Sequence, residues 1–457
     1  MEKLTHKTEL KRDLGAWPAS AIVVGTVIGS GIFLVPQTMI QRVGSVEMVF
    51  VVWIVGGLLS LAGALSYAEL AAAMPEAGGE YVYLREAYGP MWGFLYSWTQ
   101  MWVAKSGSIA TLATGFFLYL GNFFPKLDVV FYSVPLPLGP HGGPLEFRYG
   151  QLLAIALILS LAWLNYYGVK LGGAVQTAVT GVKVGLIALI ILAGLALGQA
   201  HAPDRAPVAP LTFAGFVAAL VAALWAYDGW NNVSMVASEV RAPQRNLPLA
   251  LIGGTAGVIG IYLLANAAYF RILAPHEVAG SERVAAVMMG RLLGAPGAGW
   301  VSVAAMISIF AALNGSILSG SRVPYAAARE GYFFARMARV DPVHHTPGVS
   351  IVGLCLWSCL LVLSGKYDDL FNLVIFASWI LYGMTAASVI VLRIKQPALE
   401  RPYRTMGYPV VPLLFVLGAA ILLISTLFDR QRESLLGVGL MALGLPFYFH
   451  WKKANRV

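Results

Sequence analysis

Twelve apolar stretches dominate this chain. They run roughly over 14–40, 46–73, 90–120, 149–167, 173–198, 211–238, 248–270, 297–321, 349–365, 369–393, 408–428 and 434–451. A helix needs about 20 mostly apolar residues to cross a bilayer. Only 12% of the 457 residues are charged, against about 25% in a soluble domain. Mean hydropathy is +0.72. The sequence therefore predicts an all-α polytopic membrane protein, with 1–457 forming a single transmembrane domain and no soluble domain. Nothing in the pattern calls for a metal or cofactor. The seven histidines are dispersed, and Cys355 and Cys359 lie one turn apart in an apolar span, as inert buried thiols do.

The net charge of +9 is read by position rather than as a sign of nucleic acid. Met1 to Asp13 is polar and basic and lacks a cleavage site, so it is expected to be a retained cytoplasmic tail. An even number of spans then puts both termini in the cytoplasm. On this topology nineteen Lys and Arg fall inside and ten outside, with Lys105 and Lys183 within spans. That excess fits the positive-inside rule. The inner segment 322–348 is expected to hold a basic amphipathic helix lying at the membrane surface.

Two spans are interrupted by residues a plain membrane helix avoids. The first carries Val24-Gly25-Thr26-Val27-Ile28-Gly29-Ser30-Gly31-Ile32-Phe33 near its centre. Glycine is a poor helix former, and unwound backbone at that depth needs protein or a wet cavity around it. Freed N–H groups there can receive an anion and freed carbonyls a cation. A close helix contact through small residues is the competing reading. The sixth span carries Leu224-Trp225-Ala226-Tyr227-Asp228-Gly229-Trp230-Asn231-Asn232. A central Asp costs about 2.5–3.5 kcal/mol to insert, so Asp228 should face the interior or a cavity. Breaks in spans one and six are separated by five spans, so the corresponding helices run in opposite directions. This is the pattern of an inverted-repeat transporter, although no residue-level repeat is visible.

The motifs resemble those of the amino acid–polyamine–organocation transporters, and within them the L-type, light-chain-like amino acid transporters and their bacterial relatives. The resemblance rests on Val24 to Phe33, on Tyr67-Ala68-Glu69-Leu70 with Gly78-Gly79-Glu80-Tyr81, and on Trp225 to Asn231 followed by Arg241 to Pro248. Asn314-Gly315-Ser316, Arg329-Glu330-Gly331 and Glu400-Arg401-Pro402-Tyr403 extend it over nearly the whole chain. It implies a LeuT-type fold, with 14–198 as the first repeat, 211–393 as its inverted copy and 408–451 as two additional helices. It also implies a substrate carboxylate on Gly29, Ser30 and Gly31. The amino group would lie near carbonyls around Val27, Ile28, Trp225 and Asp228, with Tyr227, Trp230 and Asn231 nearby. Trp225 resembles the aromatic gate and Trp379 a side-chain pocket residue. Lys183 resembles the lysine whose ammonium stands where sodium-coupled relatives hold sodium. Lys105 is expected to pair with an acid or a carbonyl rather than touch substrate. Glu69 and Glu80 would serve the cytoplasmic gate or loop packing.

One departure concerns partners. The outer loop 121–148 has no cysteine, so no disulfide-linked heavy chain is expected. Rings of charge or repeated pore loops, which would mark a channel, are missing from the sequence. So is any acid–base or nucleophile set within the spans that would mark an enzyme. The expected activity is secondary active transport of neutral, and additionally basic, L-amino acids across the cell membrane, sodium-independent by exchange or proton-coupled. A sensor that binds without transport and a polyamine or other amine transporter remain as alternatives.

Overall fold

The computed structural model describes residues 10–121, 123–135, 144–197, 207–364, 367–429 and 431–454. Most of the N-terminal tail therefore lies outside the described residues, as do Arg205, Lys366, Arg430 and Arg456. Helices account for most of the described chain. The first span is split into α1 (Ala16–Val27) and α2 (Gly31–Val43), bent by 42°. Next come α3 (Val46–Ala73), a short loop helix α4 (Glu80–Tyr88), and a third span made of α5 (Pro90–Thr99), a π-helical turn at Gln100–Ala104, and α6 (Lys105–Leu120). Helices α7 (Tyr149–Tyr166) and α8 (Val169–Leu197) complete the first half. The second half opens with α9 (Phe213–Ala226) and the single turn α10 (Asn232–Met235). It continues through α11 (Pro243–Pro248) and α12 (Gly254–Ile272), which join through a π-helical turn. Two loop helices follow, α13 (Pro275–Ala279) and α14 (Val284–Leu293), then α15 (Ala295–Gly320), α16 (Arg322–Arg329), α17 (Gly348–Leu363) and α18 (Tyr367–Lys395). Helices α19 (Val410–Asp429), α20 (Gln431–Ala442) and α21 (Gly444–Ala454) end the chain.

By length and composition, nine described helices can cross a membrane, or ten with the α1–α2 pair. The shorter apolar helices α9 and α17 occupy the expected sixth and ninth spans. Burial sorts the helices by depth. Helix α15 is buried along most of its length and packs on α1, α6 and α8. Helix α19 exposes Leu413, Leu414, Leu417 and Ile424, a stripe suited to lipid. Between such helices the cohesion comes from close packing and polar contacts rather than from hydrophobic burial. Local sequence fixes the helix starts. Ser45 and Thr212 cap α3 and α9 by accepting the N–H groups of Met48 and Gly215 at 3.3 and 3.0 Å.

Three details differ from the sequence reading. The sixth span does not resume as a full half-helix: α10 gives way to a 3-10 turn at Ala237–Glu239. There Leu14 N–H donates to the Glu239 carbonyl and Arg241 N–H to that of Leu14, so bonding to the N-terminal segment replaces the helical ladder. Second, the segment after α15 is helical but not at the surface. Arg322 is fully buried because its guanidinium bonds the equally buried Glu239 at 2.7 and 3.0 Å, drawing α16 inward. Third, the segment between α6 and α7 carries an antiparallel hairpin, β1 (Val130–Val134) with β2 (Leu145–Arg148); its connection, 136–143, lies outside the described residues.

At the start of α13, Glu277 accepts the Ala274 N–H at 2.7 Å and is paired with Arg291. Arg291 is the larger influence and holds the Glu277 carboxyl down at about 2. A depressed carboxyl stabilises the folded state above its unfolded value of about 4.3, and that contribution fades as pH falls through the folded value. The thermal midpoint of Glu277→Gln should therefore lie below that of the wild type at neutral pH, and the gap should close as pH falls from about 4.3 towards 2. A gap independent of pH would refute this ion pair.

Candidate functional site

The first break is held open by side chains from three other helices. Helix α1 stops at Ile28, where ψ turns to 91°. The loosened carbonyls are then taken up: Lys183 Nζ of α8 donates to Gly25 O at 2.7 Å and Ile28 O at 2.6 Å. Ser308 Oγ of α15 donates to Ile28 O at 2.8 Å, with Gly29 O at 3.3 Å. The Tyr262 hydroxyl of α12 lies 3.1 Å from Val27 O and 2.8 Å from Ala226 O, bridging the two broken spans. On the other side of the break, the N–H groups of Gly31 and Ile32 open α2 with no preceding turn to bond to. Gly29 is buried, yet a Cβ placed on it would meet nothing within 4 Å. Open space beside a buried position thus borders the positive end of α2.

The second break spans Tyr227 to Asn231. Gly229 takes φ +108°, a conformation that favours glycine, and its carbonyl accepts the Thr26 hydroxyl at 2.8 Å. A Cβ there would lie 3.1 Å from the Thr26 backbone. The two breaks are thus bonded directly to each other. Trp225 leans over the first break, 3.6 Å from where a Cβ on Gly31 would sit. Asp228 is bonded by the Tyr382 hydroxyl of α18 and acts electrostatically with Lys105. Lys105 Nζ donates to Asn232 Oδ1 at 2.7 Å, so it pairs with an amide carbonyl of the break.

The sequence candidates separate clearly by exposure. Ser30, Trp225 and Asp228 are half-buried and keep side-chain surface open. Val27, Ile28, Gly29 and Gly31 are buried and can offer only backbone. Tyr227 points away from the gap, because its hydroxyl donates to Trp53 O at 3.2 Å and its ring packs on Trp53 and Tyr262. Trp230 is packed against Tyr67 and Phe415. Trp379 stacks on Phe415 and packs on Tyr382, which bonds Asp228 of the break. Asn231 is fully buried and donates to Glu80. Glu80, expected at a gate or in loop packing, braces the sixth-span break from the loop helix α4, also accepting from Ser234 at 3.3 Å. Glu69 of α3 is bonded by Arg393 of α18 at 2.6 and 2.9 Å and by the Thr405 N–H of the loop before α19.

Tyr262, Ser308 and Thr26 were not among the sequence candidates. Each is a lone hydroxyl in an apolar span, and such hydroxyls usually bond back to their own helix. Their only distinguishing signal is a partner distant in sequence. Among the described residues no group of three or more His, Cys, Asp or Glu could hold a metal.

The amino acid permease family model matches residues 14–445. The b(0,+)-type amino acid transporter 1 of Mus musculus is 33% identical over 98% of this chain and 90% of its own length. The serine/threonine exchanger SteT of Bacillus subtilis (strain 168) is 33% identical over 98% of this chain and 99% of its own. The large neutral amino acids transporter small subunit 2 of Mus musculus is 33% identical over 96% of this chain and 81% of its own.

Proposed function

The chain belongs to the amino acid permease family, and from that premise we propose that it is a secondary transporter exchanging L-amino acids by alternating access. The observation that carries the reading is the open space beside buried Gly29, at the break whose far side opens α2, with the half-buried Asp228 in the second break bonded to the first. A zwitterion needs donors at one end and an acceptor at the other, and these two helix breaks supply both. The neutral substrate class follows from Trp225 beside the gap, with basic amino acids admitted by Asp228 and acidic ones repelled. Two inverted repeats, 14–198 and 211–393, would rock around the breaks, with 408–451 outside them. Both termini would lie in the cytoplasm of a cell bearing the protein in its outer or inner boundary membrane.

Transport would not require sodium, because the Lys183 ammonium already fills the carbonyl cluster at Gly25 and Ile28. Nor would it require a disulfide-linked heavy chain: the outer loop has no cysteine, and Cys355 and Cys359 are buried. Pure sensing is disfavoured by the relatives, whose names describe transporters and an exchanger.

A competition panel on wild type and Asp228→Asn in proteoliposomes tests the reading. Neutral and basic amino acids should compete in the wild type, and the basic ones should lose about tenfold or more in the variant, the scale of one charge-assisted hydrogen bond. An equal loss for all substrates would assign Asp228 to the shared amino-group site. Efficient glutamate or aspartate uptake by the wild type would defeat the proposed substrate class.

A further inference from the structure

The loop helix α4 meets the second break end-on. Gly78 and Gly79, at φ +102° and +53°, carry the chain onto α10. The Gly78 N–H donates to Met235 O at 2.9 Å, and a Cβ on Gly79 would strike Ser234 Oγ and the Met235 nitrogen. Glycine alone lets the two backbones approach this closely. The next residue is Glu80, whose side chain is fully buried. Asn231 Nδ2 donates to its Oε1, and Ser234 Oγ stands 3.3 Å from its Oε2. Helix α4 thus grips the second break through one backbone bond and one carboxyl.

Two counts mark that carboxyl as a proton site. The first is of charge. Lys105 acts on both Asp228 and Glu80, so one buried ammonium faces two carboxyls. A buried charge without a counter-charge is costly, and such a group neutralises instead. Asp228 is the better served of the two: it is half-buried and is bonded by the Tyr382 hydroxyl and the Gly229 N–H. Burial is the largest influence on Glu80 and raises its carboxyl above the ordinary value. The second count is of hydrogens. The Ser234 hydroxyl has one, and Asn231 O, at 2.7 Å, is its nearer acceptor. When it bonds there, Ser234 Oγ presents only lone pairs to Glu80 Oε2, and a protonated carboxyl supplies the missing O–H.

The other titratable groups facing Glu80 are the hydroxyls of Tyr67 on α3, Tyr83 on α4, Tyr96 on α5 and Tyr382 on α18. The remaining charges of the packed elements are engaged elsewhere. Arg322 pairs with Glu239, Arg393 with Glu69, and Arg85 with Glu76, Glu86 and Glu330. Lys395 bonds Ala87 O, and Arg329 bonds Tyr325.

We propose that Glu80 is the proton switch of an inner grip, protonated while α4 holds the second break and ionised once α4 lets go into water on its own side, the cytoplasm in the proposed topology. This rests on the alternating-access reading. To let go, Glu80 Oε2–H gives its proton to a solvent water, and the O–H electron pair stays on the carboxylate. Gripping again reverses the step. A carboxyl held protonated in one state favours that state at low pH, and the preference is lost as pH rises. Acid on the α4 side therefore holds the grip shut, and higher pH frees it.

The test is exchange in proteoliposomes preloaded with unlabelled amino acid, with labelled serine, leucine and arginine as probes and equal pH on both sides. The wild-type rate should rise about tenfold or more from about pH 5 to about pH 8, the effect of one pKa unit or more between the two states. The Glu80→Gln amide accepts from Asn231 and donates to Ser234 as the protonated acid does. It should lose the rise and stay near the wild-type rate at the acid end. Ser234→Ala removes the acceptor of that proton and should exchange faster than wild type at the acid end. If Glu80→Gln does not fold, Ser234→Ala carries the comparison, and a wild-type profile in it overturns the switch. A wild-type rate that is flat in pH, or a full rise retained by folded Glu80→Gln, also overturns the switch and leaves amino acid exchange standing. No exchange of any probe at any pH overturns both.

Discussion

Replacing Gly29 with valine is expected to abolish amino acid uptake while leaving a folded protein in the membrane. The site itself argues for both halves of that result. A Cβ on Gly29 meets no atom within 4 Å, so the added side chain has room and need not disturb the packing. That same room is where a substrate carboxylate would approach the N–H groups that open α2. A branched side chain there fills it and removes a charge-assisted contact worth about 1.5–3 kcal/mol, before any steric exclusion is counted. Affinity should therefore fall by about 100-fold or more. Gly31 makes the contrast. A Cβ on Gly31 would come within 2.8 Å of the Ala226 side chain and 3.0 Å of its backbone, so Gly31→Val must push α2 away from α9. Gly31→Val should lose stability as well as uptake, whereas Gly29→Val should lose uptake alone. Uptake at wild-type rates by folded Gly29→Val would remove the carboxylate from the first break.

Much of this architecture could be read from the chain because a bilayer imposes simple length and polarity rules. The span drawn at 46–73 is α3 residue for residue, and the 90–120 stretch matches α5 to α6. The two breaks were visible because glycine, serine, asparagine and aspartate are conspicuous in an apolar run. What escaped was direction. Tyr227, Trp230 and Asn231 adjoin the second break in sequence, yet they turn to Trp53, Phe415 and Glu80. Proximity along a chain says nothing about which way a side chain points once the helix has unwound and its period is lost. The bracing hydroxyls of Tyr262, Ser308 and Thr26 escaped for a related reason, since their partners lie 36 to 280 residues away. The burial of Arg322 was hidden too. An arginine in a basic loop reads as surface until Glu239, 83 positions earlier, is brought against it.

Lys183→Ala is expected to eliminate transport in the same proteoliposomes, and the geometry indicates how. Among the described residues, losing the ammonium leaves Gly25 O without a bond from another helix and Ile28 O with that of Ser308. A buried carbonyl left unpaired, as Gly25 O would be, costs about 1–3 kcal/mol, enough to shift the resting shape of the first break. Activity should fall by about tenfold or more, with the loss shared by neutral and basic substrates because the lysine contacts backbone rather than cargo. Lys183→Arg should not rescue it. The larger, planar guanidinium does not fit the space where two carbonyls converge on a single ammonium nitrogen at 2.6 and 2.7 Å. The wild type tests the sodium independence that this geometry implies. If the ammonium stands in for a cation, the wild type should transport equally in sodium and in choline buffers. A strict sodium requirement in the wild type would show that the cluster at Gly25 and Ile28 is not the coupling centre. Full activity in Lys183→Ala would show that the break holds its shape without it.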